Sequence, residues 1–283
     1  MALAYLRMAL RLDPTRDEAW MMVGDVLSTT GDAPGAQAAW SEVHADSPQY
    51  LAARGKLAWG RQEAGDKAGA IKLARDTLTA APDNKDAAIT LADLLRSDDQ
   101  FDASAKVLDG VILAQGAAPD WRLLYMRAVD LQESGRWPDA ERDLRAAMTL
   151  HPDEPELLNF LGYSWIDRGE HLAEALGMVK KAVDLNPRSG AIVDSLGWAY
   201  FRLGDYTSAV RHLETAVGLE PADPDVNDHL GDAYWRVGRE TEARFQWRRV
   251  LTLAPSAKLK AAVEAKLKIG LVVSAPPAVI AGG

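Results

Sequence analysis

The 283-residue chain contains no cysteine, so it can form neither a disulfide nor a thiolate metal site. That absence leaves the redox compartment open. Basic residues are in the minority, 32 Lys and Arg against 41 Asp and Glu, for a net charge of −9. A nucleic-acid backbone is thereby disfavoured as the main ligand, because phosphate binding needs clustered Lys and Arg. The sequence holds no run of 18 apolar residues, so no segment reads as a membrane-spanning helix. Arg7 and Arg11 interrupt the opening segment and no small-residue cleavage site follows, which excludes a signal peptide there. Histidines are few: His44, His151, His171, His212 and His229, none in an HxxxH pair. P-loop and GxGxxG motifs are missing. Ser195 and Gly197 supply half of a GxSxG, but Val193 stands at the first glycine position and the segment has a helical pattern. Asp98–Asp99 reads as a solvated turn. Nothing brings together a nucleophile, a base and an oxyanion donor, so the expectation is a non-enzyme without metal or cofactor.

What the chain does have is a period. Pro14, Pro48 and Pro82 are 34 residues apart, Pro152 follows after 70, and Pro187, Pro221 and Pro255 follow at steps of 35, 34 and 34. A spacing in this range marks stacked supersecondary units. Within Arg188–Pro221, Val193, Leu196, Gly197 and Tyr200 share one helical face, and Gly204 ends that helix where a residue free to take positive φ is wanted. Ala209, Leu213 and Ala216 form a second stripe that Pro221 terminates. Gly197 and Ala209 are small, which predicts close approach of the two helices. The frame recurs in Trp20, Val23, Gly24, Leu27 with Ala36, Trp40, Val43, in Leu91, Ala92, Leu95 with Ser104, Leu108, Val111, and in Leu230, Gly231, Tyr234 with Ala243, Trp247. Around Leu57, Ala58 and Arg61 it is weaker.

Trp20…Gly24…Ala36…Pro48 and Leu196-Gly197…Tyr200…Ala209…Pro221 resemble the tetratricopeptide repeat family. The resemblance runs from Ala2 to about Pro255. It implies an all-α fold, a right-handed solenoid of stacked helix pairs. Residues 1–14 fit the second helix of a truncated repeat, 15–255 seven repeats, 256–271 a capping helix and 272–283 a disordered tail. An insertion at Gln115–Asp120 reads as a looser turn and a hinge, and His171 or a neighbour is one residue extra. Leu3, Leu6 and Leu10 are expected to be exposed for want of a partner helix, as if the chain were the later part of a longer protein or able to self-associate. The lysines around Leu259, Val263 and Leu267 are expected to be solvated.

In the family, repeat positions 2, 5, 9 and 12 line a concave groove for an extended peptide or a partner helix. Carried over, these positions are Glu156, Asn159, Tyr163 and Ile166, then Ala191, Asp194, Trp198 and Phe201, then Asp225, Asp228, Asp232 and Trp235, with Arg202 and Arg236 at position 13. The site expected from this is Asn159, Tyr163, Asp194, Trp198, Phe201, Arg202, Asp228, Asp232, Trp235 and Arg236. It should take a protein or peptide with aromatic or basic residues. Position 5 lacks the Lys, and position 9 the Asn, of the family's carboxylate clamp. The strings LGYSWIDRG and NDHLGDAYWRVGR are similar to the C-terminal repeats of proteobacterial envelope proteins of this class. That similarity implies an adaptor at the periplasm or outer membrane. The other class of role is a substrate-binding arm of a larger enzyme such as a glycosyltransferase.

Overall fold

The computed structural model describes residues 2–116 and 118–272. Among these residues there are sixteen helices and no strand. They fall into two compact units, Met1–Ala146 and Ala147–Gly283. The first unit holds α1 (Ala2–Leu12), α2 (Asp17–Thr29), α3 (Ala33–Ser41), α4 (Tyr50–Glu63), α5 (Lys67–Ala80), α6 (Lys85–Arg96), α7 (Phe101–Gln115) and α8 (Trp121–Glu133), and α9 (Trp137–Leu150) crosses the division. The second holds α10 (Pro155–Arg168), α11 (Leu172–Leu185), α12 (Gly190–Arg202), α13 (Tyr206–Leu219), α14 (Pro224–Arg236), α15 (Glu240–Val250) and α16 (Ala257–Ile269).

Local chemistry sets the helix ends. Gly204 takes φ 83°, as the turn between α12 and α13 requires, and the next residue, Asp205, caps α13 by accepting from the Ser208 amide. Asp32 and Asp66 cap α3 and α5 in the same way. Asp99 occupies the turn position without being glycine, at φ 57°. The extra residue before α11 is absorbed by a left-handed His171, φ 45°, whose ring lies 4.8 Å from Trp165. Pro155 and Pro224 sit in the first turns of α10 and α14, where a missing N–H costs nothing. The longer turn at 115–120 is tied at its end: the Asp120 amide donates to Gln115 Oε1, and the Asp120 carboxylate caps α8 and meets Lys85.

Within each helix pair the small residues let the backbones approach. A Cβ on Gly24 would overlap the Trp40 indole, and one on Gly197 would meet Leu213 rather than Ala209. Around α4 and α5 the core is built of Ala58, Ala70 and Ala74. Arg61 lies exposed and reaches the Gly69 carbonyl. In the second unit Leu213, Leu230, Trp247, Val250 and Val263 form one buried cluster, so α16 closes the core of α12–α15.

Two expectations about the ends need correction. Leu10 is buried and Leu3 and Leu6 are half-buried, because α1 packs on α2 and shares the core of Val23 and Trp40. The apolar side chains that α1 does expose are Tyr5, Met8 and Leu12. At the other end Lys266 is not solvated; it turns inward from α16 onto two aspartates of α14. Val272 is exposed, and the rest of the expected tail, 273–283, lies outside the described residues.

Candidate partner-binding face

The expected site lies wholly within the second unit, on α10, α12 and α14. Position 2 of each helix is exposed: Glu156, Ala191 and Asp225. The later positions are buried or half-buried. Asn159 and Tyr163 on α10 are half-buried, while Ile166 is fully buried. On α12 Asp194 and Phe201 are buried and Trp198 and Arg202 half-buried. On α14 Asp228 and Asp232 are buried and Trp235 and Arg236 half-buried.

The buried members are held by the chain itself. Asp194 receives His229 Nδ1 at 2.9 Å, from α14. Burial alone would suppress the imidazolium, but Asp194, with Asp228 and Asp232 behind it, raises its pKa to about 9. Trp198 stacks between two rings, 4.2 Å from His229 and 4.7 Å from Phe201. Phe201 meets Tyr206 edge-on, and the Arg236 guanidinium covers both rings. Asp228 and Asp232 share Lys266 of α16 at 2.7 and 2.8 Å, and Asp232 also accepts from the Trp247 indole at 3.0 Å. Burial, then the neighbouring Asp228, pushes the Asp232 carboxyl above its ordinary range. Trp235 lies against Trp247 at 5.3 Å and under Arg244. Arg202 pairs with Asp167 of α10 at 2.9 Å.

A chain-wide rule emerges from these contacts. Asp167–Arg202 and Asp194–His229 are 35 residues apart, and Asp232–Lys266 is 34 apart. In the first unit Lys85–Asp120 and Arg96–Asp130 follow the same 35 and 34. These five ion pairs keep the period of the prolines, joining α6 to α8 in the first unit and α10, α12, α14 and α16 in succession in the second. A second device recurs fifteen residues apart: Trp40 donates to Asp25 and Trp247 to Asp232, each aspartate following a glycine that leaves room for the indole. Both rules are readable in the sequence only by comparing positions one repeat or one helix pair apart, which the single-helix stripe does not do.

What remains open on this face is its rim and its aromatics. Glu156 pairs with no cation among the described residues, and Asp225 forms no ion pair there, although burial raises its carboxyl and the His229 charge acts against that rise. Burial, then Asp167, Asp194 and Asp225, pushes the Tyr163 phenol up to about 12, so the surroundings of that ring are negative. Asn159 Oδ1 and Trp198 Nε1 are buried without a hydrogen-bond partner, an acceptor and a donor on adjacent first helices. No group of three or more His, Asp or Glu among the described residues is placed to hold a metal ion, and no helix among them is long and apolar enough to cross a membrane.

Paired helices that approach through small residues such as Gly197 and Ala209 define a helical-repeat fold. Comparison with known proteins gives the family. The tetratricopeptide repeat model matches residues 125–190 and 195–258, so this part of the chain consists of tetratricopeptide repeats. It is 38% identical over 94 residues to the TPR repeat-containing protein PA4667 of Pseudomonas aeruginosa, a match covering 33% of this chain and 16% of that relative's length. A tetratricopeptide repeat protein from Parabacteroides merdae has a similar fold, with a TM-score of 0.72 at 13% identity over 89% of this chain and 97% of that one. The Cut9–Hcn1 hetero-tetramer of the APC/C also contains a similar chain, TM-score 0.67 at 17% identity, over 95% of this chain and 52% of that one.

Proposed function

We propose that the chain is a non-enzymatic adaptor that takes a basic or aromatic peptide segment, or a partner helix, across the faces of α10, α12 and α14. The observation that carries this reading is the pair of half-buried aromatics, Tyr163 and Trp198, beside the exposed carboxylates Glu156 and Asp225. Such a surface offers an amphipathic aromatic platform and a negative rim, the combination that recognises a Lys or Arg next to an apolar residue. Asp194, Phe201, Asp228 and Asp232 act behind the face, fixing Trp198 and the helix spacing. Arg202 and Arg236 neutralise part of the acid and bound it. Cut9 is found assembled with Hcn1, which makes a protein partner a natural reading for a similar fold. The similarity of residues 159–251 to envelope repeat proteins extends the proposal to cell-envelope assembly or proteolysis.

Crosslinking pulldown from the cells that make the protein, followed by mass spectrometry, tests this. The Tyr163→Ala/Trp198→Ala variant should lose a protein recovered with the native chain, at unchanged helicity. Equal recovery with native and variant chains defeats the assignment of the face. Fractionation of the same cells checks the envelope reading.

A further inference from the structure

A second site lies in the first unit. Between α4, α5 and the start of α6 there is a cavity of about 380 Å3, lined among others by Arg54, Gly55, Trp59, Thr77, Asp86 and Thr90. Arg54 stands two residues after position 2 of its repeat, on the packed face, where the other repeats carry Trp20, Ala88, Leu124, Leu158, Val193 and the buried Asn227. Its guanidinium is half-buried, yet no carboxylate among the described residues pairs with it. Instead Nε donates to Thr77 Oγ1 at 2.6 Å, Nη1 to the Tyr50 hydroxyl at 3.3 Å and Nη2 to the Leu73 carbonyl at 3.4 Å. A guanidinium has five N–H donors, so two are left over. Of the nearby acids, Asp76 pairs with Lys72 and also feels the Arg54 charge, and Asp86, exposed in the first turn of α6, belongs to the cavity lining. Lys56, also in the lining, is taken by Asp25.

The rest of the cavity suits a peptide. Gly55 interrupts the interior of α4, where glycine weakens a helix. A Cβ there would make only an ordinary 3.6 Å contact with Thr90, so the fold does not exclude a side chain; its absence keeps the cavity open. Trp59 lies at the wall with 38% of its surface exposed.

We propose that this cavity binds the carboxylate of a Glu or Asp side chain in an extended peptide, Arg54 receiving the carboxylate and Trp59 the apolar neighbour. A held guanidinium with two spare donors is suited to a carboxylate. The arrangement differs from the Lys–Asn clamp, since positions 5 and 9 are Gly55 and Trp59 and the cation comes from the packed face. It is independent of the acidic face on α10–α14 and prefers ligands of opposite charge.

The test uses the full chain and three labelled hexapeptides: Ala-Ala-Phe-Glu-Ala-Ala-amide, its Gln twin as the amide, and the Gln twin with a free carboxyl terminus. Anisotropy titration should show the Glu peptide binding about tenfold or more tighter than the Gln amide, the size expected of one charge-assisted contact. Arg54→Gln should remove that preference. Arg54 also ties α4 to α5, so Gly55→Leu serves as the second variant: it keeps Arg54 and fills the cavity, and it should remove the preference while melting no lower than the native chain. Equal binding of the Glu and Gln amides, a preference that survives Gly55→Leu, or tighter binding of the free-terminus peptide than of the Glu amide overturns the proposal. So does failure of all three peptides to bind.

Discussion

His229 is the residue whose charge the fold most depends on. Its pKa is raised from the usual 6.5 to about 9 against the effect of burial, by Asp194 first and then Asp228 and Asp232. A group whose folded pKa exceeds its unfolded value stabilises fully below the unfolded pKa. The contribution should therefore be complete below about pH 6.5, decline from there, and be gone above about pH 9. Its size is about 2–4 kcal/mol by linkage. Urea unfolding at pH 6 and pH 9.5 should show a loss of this order, and Asp194→Asn should flatten it. An NMR titration of the His229 ring with its midpoint near or below 6.5 would contradict the ion pair. At Gly24 the prediction is steric: Gly24→Ala must displace the Trp40 indole and should cost about 1–3 kcal/mol in thermal or chemical melts. Gly55→Ala makes only an ordinary contact with Thr90 within a helix and should instead stabilise by about 0.5–1 kcal/mol.

At the scale of the elements, α16 behaves as a further first helix. It buries Val263 in the core of α12–α15 and places Lys266 one period after Asp232. Lys266→Met should leave Asp228 and Asp232 buried without their cation, a change worth about 3–5 kcal/mol when one partner of a buried pair is removed. Hydrogen exchange should then speed up in 257–269 before it does in α12 and α13. The α4–α5 pair, packed through Ala58, Ala70 and Ala74, should exchange faster than α12–α13, which buries Leu196, Val210 and Leu213. The helices themselves were legible: prolines and apolar stripes located every pair, because both signals act within one or two turns. The fate of α1 was not. Its missing partner within the repeat suggested exposure of Leu3, Leu6 and Leu10, but a second helix also packs on the first helix that follows it, and α2 covers them.

Across the whole molecule, the repeats and the all-α fold could be read from the 34-residue frame, and residues 125–190 and 195–258 match the family model. The candidate face was legible in part. Tyr163, Trp198 and Trp235 stood out as large residues off the core stripe, and they are half-buried in the structure. That Asp228 and Asp232 turn to Lys266, or that Phe201 lies under Arg236, depends on contacts between helices a full repeat apart. Arg54 was missed for a different reason. A packed-face position was taken to be apolar, and only the cavity beside it gives its charge a role.

The period-spaced ion pairs give the second unit a direction. From α10 to α12, α12 to α14 and α14 to α16, the acid stands on the earlier helix and the base on the later one. In the first unit Lys85 and Arg96 of α6 face Asp120 and Asp130, the opposite polarity. Repeats from the two units are therefore not interchangeable parts, whereas neighbours within the second unit nearly are. Excising residues 190–223 would bring Arg236 to the place of Arg202, opposite Asp167, and the splice would keep that pair. It would also set Asn159 where Asp194 had stood, so His229 would lose its counter-ion and titrate lower. A duplication or deletion in this stack is thus edited by charge: those that preserve the order of acid before base are tolerated, and those that reverse it place like charges face to face.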